Sequence, residues 1–254
     1  MTAAKGFSSS SASLPFPKPP LEPLSLSIFF PCHNEEANVE RTAREALEVA
    51  QSVASDYEVI IVNDGSRDRT AEIADRLASE NPRIRVVHHP VNRGYGGALQ
   101  SGYKAASKLW VFYTDGDGQF DLRELPKLLP LLRDCDAVSA YRSSRADGFV
   151  RRLNAKCWSA LVNFCFGFGL RDVDCAFKIF PRALFDHITM ESTGALIDAE
   201  VLAKAYNLGL KIAQTPVSHH PRTAGASTGA NLRVIARAFK ELWKLRGRIR
   251  AEGR

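Results

Sequence analysis

The sequence predicts an α/β domain with a mostly parallel central sheet and helices on both faces, plus a C-terminal amphipathic helix. Short apolar runs alternate with amphipathic stretches from residue 25 to about residue 145. Polar clusters follow three of those runs directly, at the carboxyl ends where open α/β sheets bind ligands. A chain of 254 residues, 45% hydrophobic and 24% charged, is large enough and ordinary enough in composition to bury one such core.

The elements follow in order. Leu26–Phe30 is a strand that stops at Pro31. Ala37–Ser55 lacks Gly and Pro, and Val39, Ala43, Ala46, Leu47, Ala50 and Val53 recur at helical spacing. Glu58–Val62 is a second strand and Arg67–Ala78 a helix with Ile73, Ala74 and Leu77 inward. Ile84–His88 is a third strand, and the Gly-rich Asn92–Gly97 opens a helix running through Ser107. Leu109–Thr114 is a fourth strand, Leu122–Leu132 a helix N-capped by Asp121, and Ala137–Ala140 a fifth strand. Past residue 145 the pattern loosens into a helix from about Val150, a strand Ala176–Phe180, a helix Asp198–Leu208 and a strand-like Lys211–Val217.

The ends differ from the body. Residues 1–24 are rich in Ser and Pro without periodicity and read as a flexible tail lacking the apolar core of a signal peptide. Five cysteines with no C-x-x-C pair argue for reduced thiols, a cytoplasmic setting, and neither a zinc site nor a disulfide frame. The charge-free stretch Cys157–Leu170 is 14 residues, short of the roughly 20 needed to cross a bilayer, and reads as a packed or interfacial helix.

The net charge of +6 is confined to residues 231–254, where eight Lys and Arg face two Glu. On a helix over Asn231–Arg250, Leu232, Ile235, Ala236, Phe239 and Trp243 line one face and Arg233, Arg237, Lys240, Lys244 and Arg248 another. That pattern fits the surface of an anionic membrane at its cytoplasmic face, or a helix docked on the domain or on a second copy. Nucleic acid explains the charge less well, because the other residues are balanced. Homo-oligomer formation stays open.

The chemistry centres on Thr114-Asp115-Gly116-Asp117-Gly118-Gln119 at the end of an apolar strand. Two carboxylates two residues apart, separated by glycine, can turn toward one hard cation such as Mg²⁺ or Mn²⁺, with diphosphate oxygens completing its shell. The bland alternative is a turn using Asp and Gly for their backbone angles. An EF-hand fails, because Phe120 and Pro126 stand where it requires Gly and Glu. No P-loop motif is present, and Gly94-Tyr95-Gly96-Gly97 lacks the third glycine of a dinucleotide fingerprint. His33, His88, His89, His219 and His220 read as strand-end or loop residues in an oxygen-rich site.

Four segments in order, Pro31-Cys32-His33-Asn34-Glu35-Glu36, Val62–Thr70, Asn92–Ala98 and the Asp115/Asp117 pair, resemble the nucleotide-sugar-binding domain of family 2 glycosyltransferases with the Rossmann-like GT-A fold. The resemblance implies donor contacts at Pro31, Asn34, Glu35, Asp64, Gly94 and Asp115. It also implies a metal on Asp117, helped by Asp115 and Gln119. It divides the chain into a nucleotide-sugar half, 25–145, and an acceptor half, 146–230.

In the second half, Ser139–Arg142, Arg151-Arg152, Asp174–Phe180 and His220–Ser227 look like the branch typified by dolichol-phosphate mannosyltransferases. There the arginines matching Arg142 and Arg151 would grip the acceptor phosphate of a polyprenyl phosphate, and Arg222 would reach the donor diphosphate. Guanidinium suits both tasks, since its planar fork holds phosphate bidentately and stays charged. Two departures stand out: Ala155 replaces the usual serine, and Asp115-Gly116-Asp117-Gly118-Gln119 replaces the usual Asp-Ala-Asp-Leu-Gln.

The implied reaction is inverting transfer of a hexose from a GDP-mannose or UDP-glucose type donor to the lipid phosphate. If the acceptor were a sugar hydroxyl, Asp198 would be the catalytic base, although it also reads as the N-cap of its helix. A non-catalytic nucleotide-sugar-binding protein is the reading of another class. A nucleotidyltransferase would want a basic, Gly-rich loop after the first strand, where this chain has the acidic Pro31–Glu36.

Overall fold

The computed structural model describes residues 14–145, 149–221 and 241–249. Its first part runs β1 (Ser25–Cys32), α1 (Val39–Val53), β2 (Asp56–Asp64), α2 (Thr70–Glu80), β3 (Ile84–His89), α3 (Gly94–Ala105) and β4 (Trp110–Thr114). After two 3₁₀ turns come β5 (Ala137–Ser139), β6 (Tyr141–Arg145), α4 (Phe149–Phe166), β7 (Phe177–Pro181), α5 (Leu184–His187), α6 (Ile197–Asn207), β8 (Ile212–Ala213) and β9 (Pro216–His219).

The main sheet has the order β3-β2-β1-β4-β7-β5-β8. It is parallel from β3 through β4, and β7 runs antiparallel to both of its neighbours. Its central strands are apolar on both faces because helices cover both. On one face Tyr103 of α3 meets Phe29, Tyr113 and Phe185, the last stacked at 3.9 Å between ring centroids. On the other, Phe112, Phe177 and Phe120 pack together, since neighbouring strand residues point oppositely. In this register Pro31 pairs with Val62 and Cys32 with Asn63, so the loops after β1 and β2 emerge side by side.

Several expected elements are corrected. The helix expected over 122–132 is two 3₁₀ turns, Leu122–Lys127 and Leu129–Arg133, because Pro126 and Pro130 each remove a backbone donor. Asp121 does cap the first turn, accepting from the Arg123 N–H at 3.0 Å. The helix expected from Arg67 starts at Thr70, since residues 67–69 bind the neighbouring loop instead. The strand-like Lys211–Val217 divides at Gln214 and Thr215: β8 stays in the main sheet and β9 joins β6 in a second one.

The flexible reading of the N-terminal tail also fails for its last part. Phe16 is 6% exposed, packs against the His187 ring, and Trp110 Nε1 donates to the Pro20 carbonyl at 3.0 Å. Residues 1–13 lie outside the described residues. At the other end, residues 241–249 are helical and bury Leu242, Leu245 and Ile249 while Trp243 is exposed. The apolar stripe there packs on the protein, and Trp243 stands off it; residues 231–240 and 250–254 of the expected basic C-terminal segment lie outside the described residues.

The α3 face admits no extra volume. A Cβ on Gly102 would lie 2.1 Å from the Phe29 ring. Gly102→Val is therefore expected to destabilise the fold by about 1–3 kcal/mol through overpacking. Thermal melting reads this as a lower Tm, and an unchanged Tm would contradict the packing described.

Candidate active site

The loops after β1 and β2 are laced together residue by residue. Asn34 adopts φ 58, a left-handed conformation that Asn tolerates better than most residues. From there its N–H donates to Ser66 Oγ at 3.0 Å and its Oδ1 accepts the Arg67 N–H at 2.8 Å. Glu35 N–H donates to Thr70 Oγ1 at 2.8 Å, Glu36 N–H to Asp68 Oδ2 at 3.1 Å, and Arg69 N–H to Glu36 Oε2 at 3.0 Å. Burial opposes ionisation of Asp68, but its hydrogen bonds from Thr70 and Glu36 hold its carboxyl below the ordinary range. Glu35 itself is buried and accepts from Asn38 Nδ2 at 2.8 Å.

Asp64, expected to face the nucleotide, is also buried. Its Oδ1 meets His89 Nδ1 at 2.6 Å and accepts the Arg93 N–H at 2.8 Å. It thereby fastens the segment leading to Gly94, whose φ of 81 starts α3.

The Asp115-Gly116-Asp117 turn seats against this floor. A Cβ on Gly116 would fall 2.5 Å from the Pro31 carbonyl oxygen and 2.7 Å from Cys32 Sγ, so only glycine allows that approach. Gly118 follows at φ 70. The close approach at Gly116 and the positive φ at Gly118 account for both glycines where the resemblance leads one to expect Ala and Leu.

Asp115 accepts from Tyr95 Oη at 3.0 Å, and Asp117 Oδ1 accepts the Gln119 N–H at 3.1 Å. Burial, then the charges of Asp117 and Asp198, push the Asp115 carboxyl up to about 7; Tyr95 and Arg142 oppose the rise. Gln119, expected as a metal ligand, donates from Nε2 to the His220 carbonyl at 2.9 Å, and its own carbonyl accepts the His220 N–H at 2.8 Å. It ties the acidic turn to the segment that continues to Arg222, which lies outside the described residues.

Beneath the turn is a buried polar cluster. Lys178, in the otherwise apolar β7, donates to Asp198 Oδ1 at 2.7 Å, Tyr113 Oη at 3.0 Å and the Cys175 carbonyl at 2.5 Å. Tyr113 Oη also donates to Asp198. The two charged side chains are 1% and 4% exposed. Asp198 lies inside the first turn of α6, behind Leu196 at the cap, so it is not the N-cap.

Arg142 is held in a fork by Asp172, Nε to Oδ2 at 2.7 Å and Nη2 to Oδ1 at 2.8 Å. Burial would lower its pKa, yet the bonds and charge of Asp172 hold it above the ordinary value. Arg151 falls on the backbone of α4, and its side chain lies outside the described residues.

The acidic turn, Arg142 and the two loops are therefore legible in the sequence, whereas the supporting roles of Tyr95, Lys178, Asp172 and His89 are not. Lys178 had a signal: a lysine inside a fully apolar strand needs a buried counter-charge.

The family model of glycosyl transferase family 2 matches residues 27–189, more than half the chain. The chain belongs to glycosyl transferase family 2. The family 2 chain is 33% identical over 209 residues to Glycosyltransferase AglD of Haloferax volcanii, covering 78% of this chain and 34% of that protein. It is 31% identical over 208 residues to Dolichyl-phosphate beta-glucosyltransferase ALG5A of Trichomonas vaginalis, covering 76% and 64%. It thus spans about one third of the first relative and under two thirds of the second. A glucosyl-3-phosphoglycerate synthase from Mycobacterium tuberculosis, solved with Mn²⁺, uridine diphosphate and glucosyl-3-phosphoglycerate, shares the fold. Its TM-score is 0.66 at 22% identity, over 87% of this chain and 78% of that one.

Because the Asp115 carboxyl ionises near pH 7 instead of near its ordinary 3.8, its stability effect has a defined sign. The folded state holds the extra proton between those values, so this group makes the metal-free protein less stable as pH rises through that window. A divalent cation bound at this turn would displace the same proton, so affinity for a probe such as Mn²⁺ would fall about tenfold per pH unit as pH drops below 7. Titrations of wild type and Asp115→Asn read both effects. Equal pH dependence in the two proteins would contradict the assignment.

Proposed function

We propose that this chain is an inverting glycosyltransferase that moves a hexose from a nucleotide-sugar to a polyprenyl phosphate at the cytoplasmic face of a membrane. The observation that carries the reading is the Asp115/Asp117 turn, half-buried against Pro31 and Cys32, with the Asp117 charge close enough to oppose ionisation of Asp115. That arrangement suits a divalent cation, Mg²⁺ or Mn²⁺. Among the described residues no group of three His, Cys, Asp or Glu side chains could hold a metal alone, so the donor diphosphate would supply the other ligands. Mn²⁺ with uridine diphosphate in the fold relative supports the same donor class.

When bound, the cation would neutralise charge on the departing nucleotide diphosphate. The chain's own residues do the remaining work. Pro31, Asn34, Glu35, Asp64 and Gly94 form or brace the floor on which the nucleotide lies. Arg142, oriented by Asp172 and near enough to Asp115 to favour its charged form, would hold the acceptor phosphate for attack on the anomeric carbon from the face opposite the leaving diphosphate. Arg151 and Arg222 would complete the grip on acceptor and donor.

A phosphate acceptor is already ionised at neutral pH and needs no base. The dolichyl-phosphate activity in the name of one relative supports this acceptor. A sugar hydroxyl would need Asp198 as base, but its Oδ1 is committed to Lys178 and Tyr113 in the interior. A purely binding role leaves the oriented Arg142 without a task.

The test pairs GDP-mannose, UDP-glucose and UDP-N-acetylglucosamine, each with Mn²⁺, against a polyprenyl phosphate acceptor. One donor should give a glycosyl phospholipid, and Asp117→Asn should lower kcat on the order of 10²-fold. Arg142→Ala should raise KM for the lipid phosphate while donor binding, read by thermal shift, stays intact. If Arg142→Ala is harmless and a folded Asp198→Asn protein is inactive, the lipid-phosphate mechanism is wrong.

A further inference from the structure

Four large hydrophobic side chains are exposed among the described residues, and two of them, Phe164 at 75% and Trp243 at 57%, flank one cation. The Arg246 guanidinium carbon lies 5.9 Å from the Phe164 ring centroid and 5.5 Å from that of Trp243. Phe164 belongs to α4 and the other two to the helical segment 241–249, so two elements distant in sequence build one aromatic–cation–aromatic patch.

The patch extends along α4. Cys157, Ala160 and Phe164 are exposed at helical spacing, with Gly167 just beyond, whereas Ser159, Val162, Cys165 and Phe166 of the same helix are buried. No charged residue occurs from Cys157 through Leu170. On segment 241–249 the packing stripe is Leu242, Leu245 and Ile249, which leaves Trp243, Lys244, Gly247 and Arg248 outward. Holding that segment on the domain does not require Trp243, whose exposure is therefore unexplained by folding.

We propose that this face, with Phe164 and Trp243 as anchors and Lys244 and Arg246 beside them, docks on an anionic lipid surface. The apolar strip of α4 excludes a polyanion such as nucleic acid as the natural partner, while the adjoining cations demand negative charge. A bilayer interface offers both at once: acyl and glycerol regions for the two rings, and headgroup phosphates for the cations. The basic excess of residues 231–254 matches that charge.

The inference gives the lipid-phosphate reading its geometry, and for that purpose it rests on it. Arg151 precedes Phe164 by 13 residues on α4, about 20 Å along the helix axis at 1.5 Å per residue. An α4 lying on the membrane would thus carry the acceptor-binding end and the anchor on one rod.

The full chain is mixed with phosphatidylcholine vesicles with and without phosphatidylglycerol, both free of polyprenyl phosphate, and sedimented. Wild type should pellet with the anionic vesicles only, and Phe164→Ser/Trp243→Ser should bind at least tenfold more weakly. Lys244→Glu should also weaken binding to the anionic vesicles, by a factor that is largest at low salt. Trp110 is buried and Trp158 half-buried, so a blue shift of emission on binding should come from Trp243 and vanish in Trp243→Phe.

Metal-dependent nucleotide-sugar binding by the double variant, read by thermal shift, should match wild type; this separates failure of docking from failure of the proposed function. Wild type left in the supernatant, or a double variant that pellets equally, overturns the proposal. So does a wild-type dimer that the double variant converts to monomer, since the patch would then be a subunit interface.

Discussion

Two like charges held at the tip of one buried strand govern this structure. Burial, and then the charge of Asp117, oppose ionisation of Asp115. A fold that kept such a pair for stability alone would gain little from it, because two desolvated carboxylates favour taking up a proton or a cation. The turn reaches its place only because Gly116 has no side chain to strike the Pro31 carbonyl. Sequence, backbone approach and charge therefore converge on one few-ångström region at the end of β4.

The surroundings hold that region still. Above it, reciprocal hydrogen bonds knit the loops after β1 and β2 into a single floor, with Asn34 in a strained left-handed conformation. Below it, the Lys178–Asp198–Tyr113 cluster anchors α6 to the sheet, and Tyr95 carries a hydrogen bond from α3 to Asp115. A buried ion pair of this kind adds little net stability compared with apolar packing, but removing one partner leaves an uncompensated charge. Its role is best read as fixing where α6 and β7 meet beneath the acidic turn. Asp172 does for Arg142 what this cluster does for the turn: it sets the direction of a charge.

Much of the fold was legible in the sequence where periodicity was strong. The strands expected at Leu26–Phe30, Glu58–Val62 and Leu109–Thr114 and the helix over Val39–Val53 are apolar in patterns that leave little choice, although the first strand continues through Pro31 to Cys32 and the second to Asp64. The legible part stops where local signals conflict. Pro126 and Pro130 sit in an apolar helical pattern and turn it into 3₁₀ geometry; Pro216 follows a break that sends β9 to a different sheet. The N-terminal segment reads as tail because Phe16 is a lone aromatic among Ser and Pro, and its burial depends on tertiary neighbours no local pattern reveals.

At the site, residue types revealed which groups carry charge but not which oxygen faces which partner. Asp64, Gln119 and Asp198 all look like free acceptors in sequence, and each has a hydrogen-bond partner inside the protein. The most direct measurement of the account is a crystal structure of the chain soaked with Mn²⁺ and a nucleoside diphosphate. An anomalous manganese peak bridging the diphosphate and the Asp115/Asp117 turn is the predicted result. A nucleotide bound elsewhere, or a turn without metal whose carboxylates face the interior, would contradict it.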